Sequence, residues 1–340
     1  MSGWRVVRPL ILLAAVCVLA VAAWFYHTCY RQPLLTGTQA VVIRIAPGQP
    51  LRAIARHLAE RGVLAHPLNL VLLARLRGQS SAVRAGEYRI QPGTTVAQLL
   101  DQLASGQVLL HSLTLVDGWT FKQVLDAVER DPDLMHTLTG LKPAQVMARL
   151  GHPNEHPEGR FFPDTYSFAH GTTDVAFLER AYRSMQQKLA AAWQQRAQNL
   201  PYQSAYEALI MASVIEKETG RPDERARIAG VFVRRLQKDM KLQSDPTVIY
   251  GLGDSYTGNI TLHDLRADTP YNSYTRHGLP PTPICMPPLA AIEAALHPAA
   301  GDALYFVARG DGTHQFSATL AEQNAAVRKY QLARDGRHRS

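Results

Sequence analysis

Met211-Ala212-Ser213-Val214-Ile215-Glu216-Lys217-Glu218-Thr219-Gly220 decides how the second half of this chain folds. Every residue from Ala208 to Ile215 is apolar or small, which predicts a helix buried on most sides rather than an amphipathic one. Gly220 and Pro222 mark its end. On helical spacing Leu209, Ala212, Ser213 and Glu216 share one face, so a packed stripe runs directly onto a carboxylate. Glu218 lies roughly 200° further round. Lost hydration and the negative end of the helix dipole both raise the pKa of Glu216, and a carboxylic acid still protonated near neutral pH can donate to a leaving group. From the helix alone, the competing assignment is an ion pair with Lys217, Arg221 or a more distant arginine.

Outward from this helix, residues 158–335 read as a mixed, helix-rich α+β domain. Helices are expected over about Val175–Asn199 and Asp223–Lys238, the second from the spacing of Ile228, Val231, Phe232 and Leu236. Leu242–Gly251 and Tyr271–Tyr274 read as polar and aromatic loops, and an Ala-rich helix follows Cys285. A strand over Ala303–Ala308 and a terminal helix complete the domain. Residues 111–157 read as a β-α connecting unit, helical from Asp131 to Leu150. The segment His152-Pro153-Asn154-Glu155-His156-Pro157-Glu158 offers metal-type ligands, but its prolines break the helix that would align them, so no metal is expected.

Toward the N-terminus a strand, a Pro-Gly or Asp-Gly turn and an amphipathic helix recur. The three copies are Val42–Ala55, Tyr88–Leu100 and, more loosely, Leu113–Leu125. The first, with Leu51-Arg52-Ala53-Ile54-Ala55 opening its helix, resembles a LysM module, and the LysM-like region is placed at 38–110. That resemblance implies contact with N-acetylglucosamine-containing glycans; a scaffold that only spaces the catalytic region from a membrane fits the pattern equally well.

An uncharged segment between Arg8 and Arg31 is close to the ~20 residues that cross a bilayer. Arg5 and Arg8 precede it, as a cytoplasmic end would require, and Trp24, Phe25 and Tyr26 stand where an interfacial belt belongs. Residues 1–31 are therefore read as a cytoplasmic tip and a single membrane-spanning helix. Ala20-Val21-Ala22 also fits a signal-peptide cleavage site, and both readings export everything after Tyr30. A net charge of +8 favours an anionic environment such as phospholipid or an acidic wall polymer. The charge is scattered, without the basic, aromatic-interleaved patch that nucleic-acid binding requires. Three cysteines make no disulfide framework, and nothing local marks Cys285 as a thiolate nucleophile.

Neither a nucleophile elbow, nor a Walker loop, nor a dinucleotide fingerprint is present, and the spacing of Ser184 and Lys188 does not match penicillin-binding enzymes. What remains is a protonatable glutamate among sugar-binding side-chain types, which favours glycoside chemistry. The stretches Glu158–Tyr166, Ala212–Thr219, Leu242–Gly251, Tyr271–Tyr274, Gly278–Cys285 and Gly312–Ser317 together resemble the MltG/YceG-like endolytic murein transglycosylases over nearly the whole chain. The resemblance implies a lyase that cleaves the β-1,4 bond between N-acetylmuramic acid and N-acetylglucosamine in nascent peptidoglycan. It would leave 1,6-anhydro ends and terminate glycan elongation, with no cofactor or metal.

By the same resemblance Glu216 is the catalytic acid. Glu218, Gln243, Ser244, Asp245, Asn272 and Tyr274 match family motifs and are expected around the glycan cleft or behind it, unless they fix turns. The implied partners are peptidoglycan strands, the inner membrane and, as candidates, peptidoglycan synthases, with the bulk of the chain periplasmic. The sequence departs from the family at Met286 and at Gln323-Asn324, where asparagine and histidine are frequent. A non-catalytic glycan-binding scaffold and a water-using muramidase are the alternatives.

Overall fold

The computed structural model describes residues 4–332, so the cytoplasmic tip before Trp4 and positions 333–335 of the expected catalytic domain lie outside the described residues. The chain divides into two compact units. The first comprises residues 1–111 with 167–172, the second 112–166 with 173–340.

The first unit begins with α1 (Trp4–Tyr30), which is long and apolar enough over Leu10–Tyr30 to cross a membrane, with a mean hydropathy of 2.3. It continues through β1 (Val41–Ile45), α2 (Leu51–Glu60), α3 (Pro67–Leu76), β2 (Gly86–Ile90) and α4 (Val96–Ser105). The first two sequence copies are not independent modules. Their strands pair antiparallel, Ile43 opposite Tyr88, so each copy supplies one edge of a shared two-stranded sheet. Alternation sends Ile43, Ile45, Tyr88 and Ile90 into one core with Ile54, Leu58, Leu70, Leu99 and Leu103. α4 starts at a complete capping box between Thr95 and Gln98, as the threonine predicts. The last turns of α1 enter the same core, where Thr28 and Cys29 are buried.

β3 (Leu110–Thr114) leads into the second unit. There follow α5 (Phe121–Arg130), β4 (Leu134–Met135), α6 (Pro143–Arg149), β5 (Thr165–Ala169), β6 (Thr172–Thr173) and α7 (Asp174–Gln194). α8 (Ala205–Glu218), α9 (Arg225–Gln237), α10 (Asp245–Leu252), α11 (Leu262–Arg266) and α12 (Leu289–Leu296) form the helical body. β7 (Tyr305–Ala308) and β8 (His314–Ser317) pair antiparallel, and α13 (Leu320–Val327) follows. The fold is mixed α+β with an apolar N-terminal helix.

α8 is buried from Ala208 to Ile215, and α7, α9 and α12 supply Met185, Leu189, Phe232, Ala291 and Ala295 to the core around it. Two expectations are corrected. Asp131–Leu150 is not one helix: Pro132, Gly140 and Pro143 interrupt it, and only Pro143–Arg149 is helical. Asp174 instead ties the intervening turn, accepting from the backbone N–H of Thr137 at 2.7 Å and of Leu138 at 2.9 Å. Leu242–Gly251 is not all loop either. Pro246 sits in the first turn of α10, where proline costs the helix no hydrogen bond.

Candidate active site

Glu216 occupies the last turn of α8, its side chain 9% exposed. One turn earlier on the same face Ser213 is fully buried and accepts from the Ile284 backbone N–H at 2.9 Å while donating to the Ile210 carbonyl at 2.7 Å. This fixes the segment after Pro283 against α8. Met286 then forms two backbone bonds with the turn ahead of α5: Gly118 N–H to its carbonyl at 2.9 Å, and its own N–H to the Trp119 carbonyl at 2.7 Å. The clamp uses only main chain, so it does not depend on the Met286 side chain. Gly118 takes φ +74° as the Asp-Gly turn demands, and a Cβ there would lie 3.8 Å from Glu216 Cγ, so the turn closes directly over the carboxylate.

Arg225, the first residue of α9, faces Glu216 with Nη2 to Oε2 at 3.2 Å. It is placed by its neighbour Glu224, which accepts from the His314 backbone at 2.9 Å and contacts the His314 ring at 2.6 Å. The ion pair is imperfect: Glu216 Oε2 and Arg225 Nε are both buried and make no hydrogen bond. Burial raises the Glu216 pKa, Arg225 opposes the rise, and the nearby Asp117 charge adds to it. The ion-pair reading holds, with Arg225 as the partner, and burial still raises the carboxyl.

Glu218, on the other side of α8, meets a different group. It accepts from the Ser244 hydroxyl, and burial, opposed by that hydrogen bond, pushes it up to about 7. With Gln243, Asp245, Tyr274, Arg235 and His314 it lines a cavity of about 300 Å³. Tyr274 donates to Asp245 at 2.5 Å, and Arg235 donates to the Leu242 carbonyl at 2.6 Å. Ser244 is held from behind by its own N–H to Ser273 Oγ at 2.9 Å. Asn272 is not in this lining. Its amide donates to the carbonyls of Asp264, Leu265 and Ala267, the last at 2.7 Å, and its oxygen accepts from Tyr274 N–H, so it ties the loop that presents Tyr274.

Sequence reading assigned no role to Glu158, which is 4% exposed. It accepts from the Phe121 backbone at 2.9 Å and the Tyr250 hydroxyl at 3.0 Å, and burial raises it to about 7. The adjoining Gly159 has φ +76°, and a Cβ there would lie 2.5 Å from Pro283, so this turn is packed against the segment that binds Ser213. Arg225 was missed as well, since nothing local separates it from the other arginines of 221–235. Within 152–158, His152 stacks on Tyr182, and Glu155 accepts from the hydroxyl of the same tyrosine at 2.9 Å. Burial pushes the Cys285 thiol up, as suits a packing residue.

The profile of the YceG-like family matches residues 43–329. The chain is 30% identical over 326 residues to the endolytic murein transglycosylase of Bacillus subtilis (strain 168), covering 91% of this chain and 90% of that protein. It is 29% identical over 310 residues to the endolytic murein transglycosylase of Streptococcus pneumoniae serotype 2 (strain D39 / NCTC 7466), covering 79% of this chain and 54% of that one. The crystal structure of a putative YceG-like protein from Listeria monocytogenes is similar with a TM-score of 0.53 at 28% identity, over 85% of this chain and 99% of its own.

Proposed function

Because the chain belongs to the YceG-like family, we propose that it is an endolytic murein lytic transglycosylase with Glu216 as its acid. The observation that carries the assignment of the acid is the pair of buried, unsatisfied atoms, Glu216 Oε2 and Arg225 Nε. A raised carboxyl with a vacant lone pair, held by a cation, can give a proton to the glycosidic oxygen and remain stable as the anion that results. The carboxylate then takes the proton of the muramyl 6-hydroxyl as that oxygen closes on C1, which returns Glu216 to its starting form. No water is consumed, and no second carboxylate nucleophile is needed.

The cavity around Glu218, Gln243, Asp245 and Tyr274 supplies sugar-binding groups and is assigned to glycan positioning. In the same reading α1 is retained as a single span in the inner membrane, and the rest of the chain lies in the periplasm. The LysM-like region of the first unit contacts glycan, and peptidoglycan synthases are the candidate protein partners.

Product analysis tests the proposal. Purified glycan strands treated with the enzyme should yield 1,6-anhydro-muropeptides, lighter by one water than muramidase products. Reducing ends instead would make the enzyme a hydrolase. A specific observation also favours a second assignment of the acid: Glu218, raised to about 7, lines the 300 Å³ cavity directly. Separate Glu216→Gln and Glu218→Gln variants in the same assay decide between them.

A further inference from the structure

Among the described residues of the first unit, none covers the outward face of α3. The helix reads Pro67-Leu68-Asn69-Leu70-Val71-Leu72-Leu73-Ala74-Arg75-Leu76, apolar on nearly every side. A helix of that composition belongs in a core or against lipid. Its inner side meets the first condition, since Leu70, Leu73 and Ala74 are at most 2% exposed. Its outer side does not: Leu68, Leu72 and Leu76 are 78, 47 and 70% exposed, and their four-residue spacing sets them in one row. Arg75 is exposed beside them.

Contacts with α1 set the level of this row along the apolar helix. The Trp24 ring meets the His66 ring edge-on at 5.1 Å, at the start of α3. Asn69 donates to the Thr28 hydroxyl at 2.8 Å in a buried bond, and Arg77, just past α3, lies over the Tyr30 ring at 5.4 Å. Both ends of α3 are thus tied to the last turns of α1. From Pro9, which follows Arg8, to Trp24 a helix rises roughly 24 Å, short of the ~30 Å of bilayer hydrocarbon. The remainder is reached only at about residue 28, the level at which Asn69 binds. A bilayer spanned by α1 therefore extends to the depth of the first turn of α3, where Leu68 points outward.

We propose that α3 lies in the surface of the bilayer that α1 spans, its row of Leu68, Leu72 and Leu76 among the acyl chains and Arg75 among anionic phospholipid headgroups. The inference rests on the reading of α1 as a retained span. It makes the first unit a plate seated on lipid, rather than a body swinging on a tether.

The full chain, with Cys17→Ser so that only buried native cysteines remain, is reconstituted into phosphatidylethanolamine/phosphatidylglycerol vesicles. An environment-sensitive fluorophore is attached at Leu68→Cys or Leu72→Cys, at Val16→Cys inside the span, or at the exposed Arg52→Cys on α2. Because both α3 positions are exposed, the labels leave the core intact. Lipids with a shallow nitroxide should quench positions 68 and 72 at least about twofold more than position 52. If 72 behaves like 52 while 16 is quenched, α3 is in water and the proposal falls with the span intact. If 16 also escapes quenching, span and proposal fall together. Blue-shifted emission at 72 without lipid quenching means that protein, a partner or a second copy, covers the face, and this too overturns the proposal.

Discussion

Glu216 and Glu218 stand two residues apart on α8, yet the helix turns them into unlike surroundings. Glu218 faces the loop before α10, where Ser244 donates to it and Asp245 adds like charge. Glu216 faces the start of α9 and the turn before α5, where Arg225 pairs with it at 3.2 Å and its Oε2 has no well-aligned hydrogen bond. Burial raises both pKa values. The difference is one of commitment: Glu218 already accepts a hydroxyl hydrogen bond while Glu216 Oε2 keeps an open acceptor, and on that contrast rests the proposal that Glu216 moves the proton and Glu218 positions the glycan. Glu158 is a third case, raised to about 7 but engaged by Phe121 and Tyr250, so an elevated pKa alone does not mark an acid here.

Replacing each glutamate breaks or sharpens this contrast most directly. Glu216→Gln should lower anhydro-muropeptide release by about 10²–10⁴-fold with strand binding retained, whereas Glu218→Gln should stay within about tenfold. The reverse order of losses would transfer the acid to Glu218.

The next effect is on stability. A carboxyl raised in the folded state binds its proton more tightly there than in the unfolded chain. Stability is therefore greatest below the ordinary value of 4.5 and is lost as pH rises to about 7. For Glu158 that loss is at most ~3 kcal/mol. Denaturant unfolding at pH 5 and pH 8 should show a decline that Glu158→Gln reduces, while activity in the variant is largely kept. A slope unchanged by the substitution would mean that Glu158 is ionised in the fold.

Ser244→Ala removes the donor to Glu218 and should destabilise by about 1–3 kcal/mol, as for a buried acceptor left unpaired. Melting of the variant checks this, and an unchanged midpoint would deny that Glu218 is held from that side. The smallest effect expected is a displacement of the pH profile. Arg225 lowers the Glu216 pKa, so Arg225→Gln should raise it and move the falling, high-pH limb of activity upward. An upward shift of the rising, low-pH limb instead would mean that Glu216 must be ionised to act.

Much of the chain was legible because its signals are local. The apolar run of α1 and the continuous burial of α8 are read within a turn or two, and the structure has both. The misread segments were those where a proline or glycine had two meanings. Pro246 starts α10 rather than sustaining a loop, while Pro132, Gly140 and Pro143 broke a helix that composition alone favoured.

The sequence by itself determined the buried helix, the carboxylate at its end and the angular separation of Glu216 from Glu218, because helix geometry and hydrophobic patterning act over a few residues. Tertiary structure alone decided which partner each carboxylate received. Arg225 is brought by the break after α8 and the Glu224–His314 contact across 90 residues, and Ser244 by a loop held through Ser273. Desolvation and ion pairing depend on groups close in space, and folding, not sequence order, sets those distances.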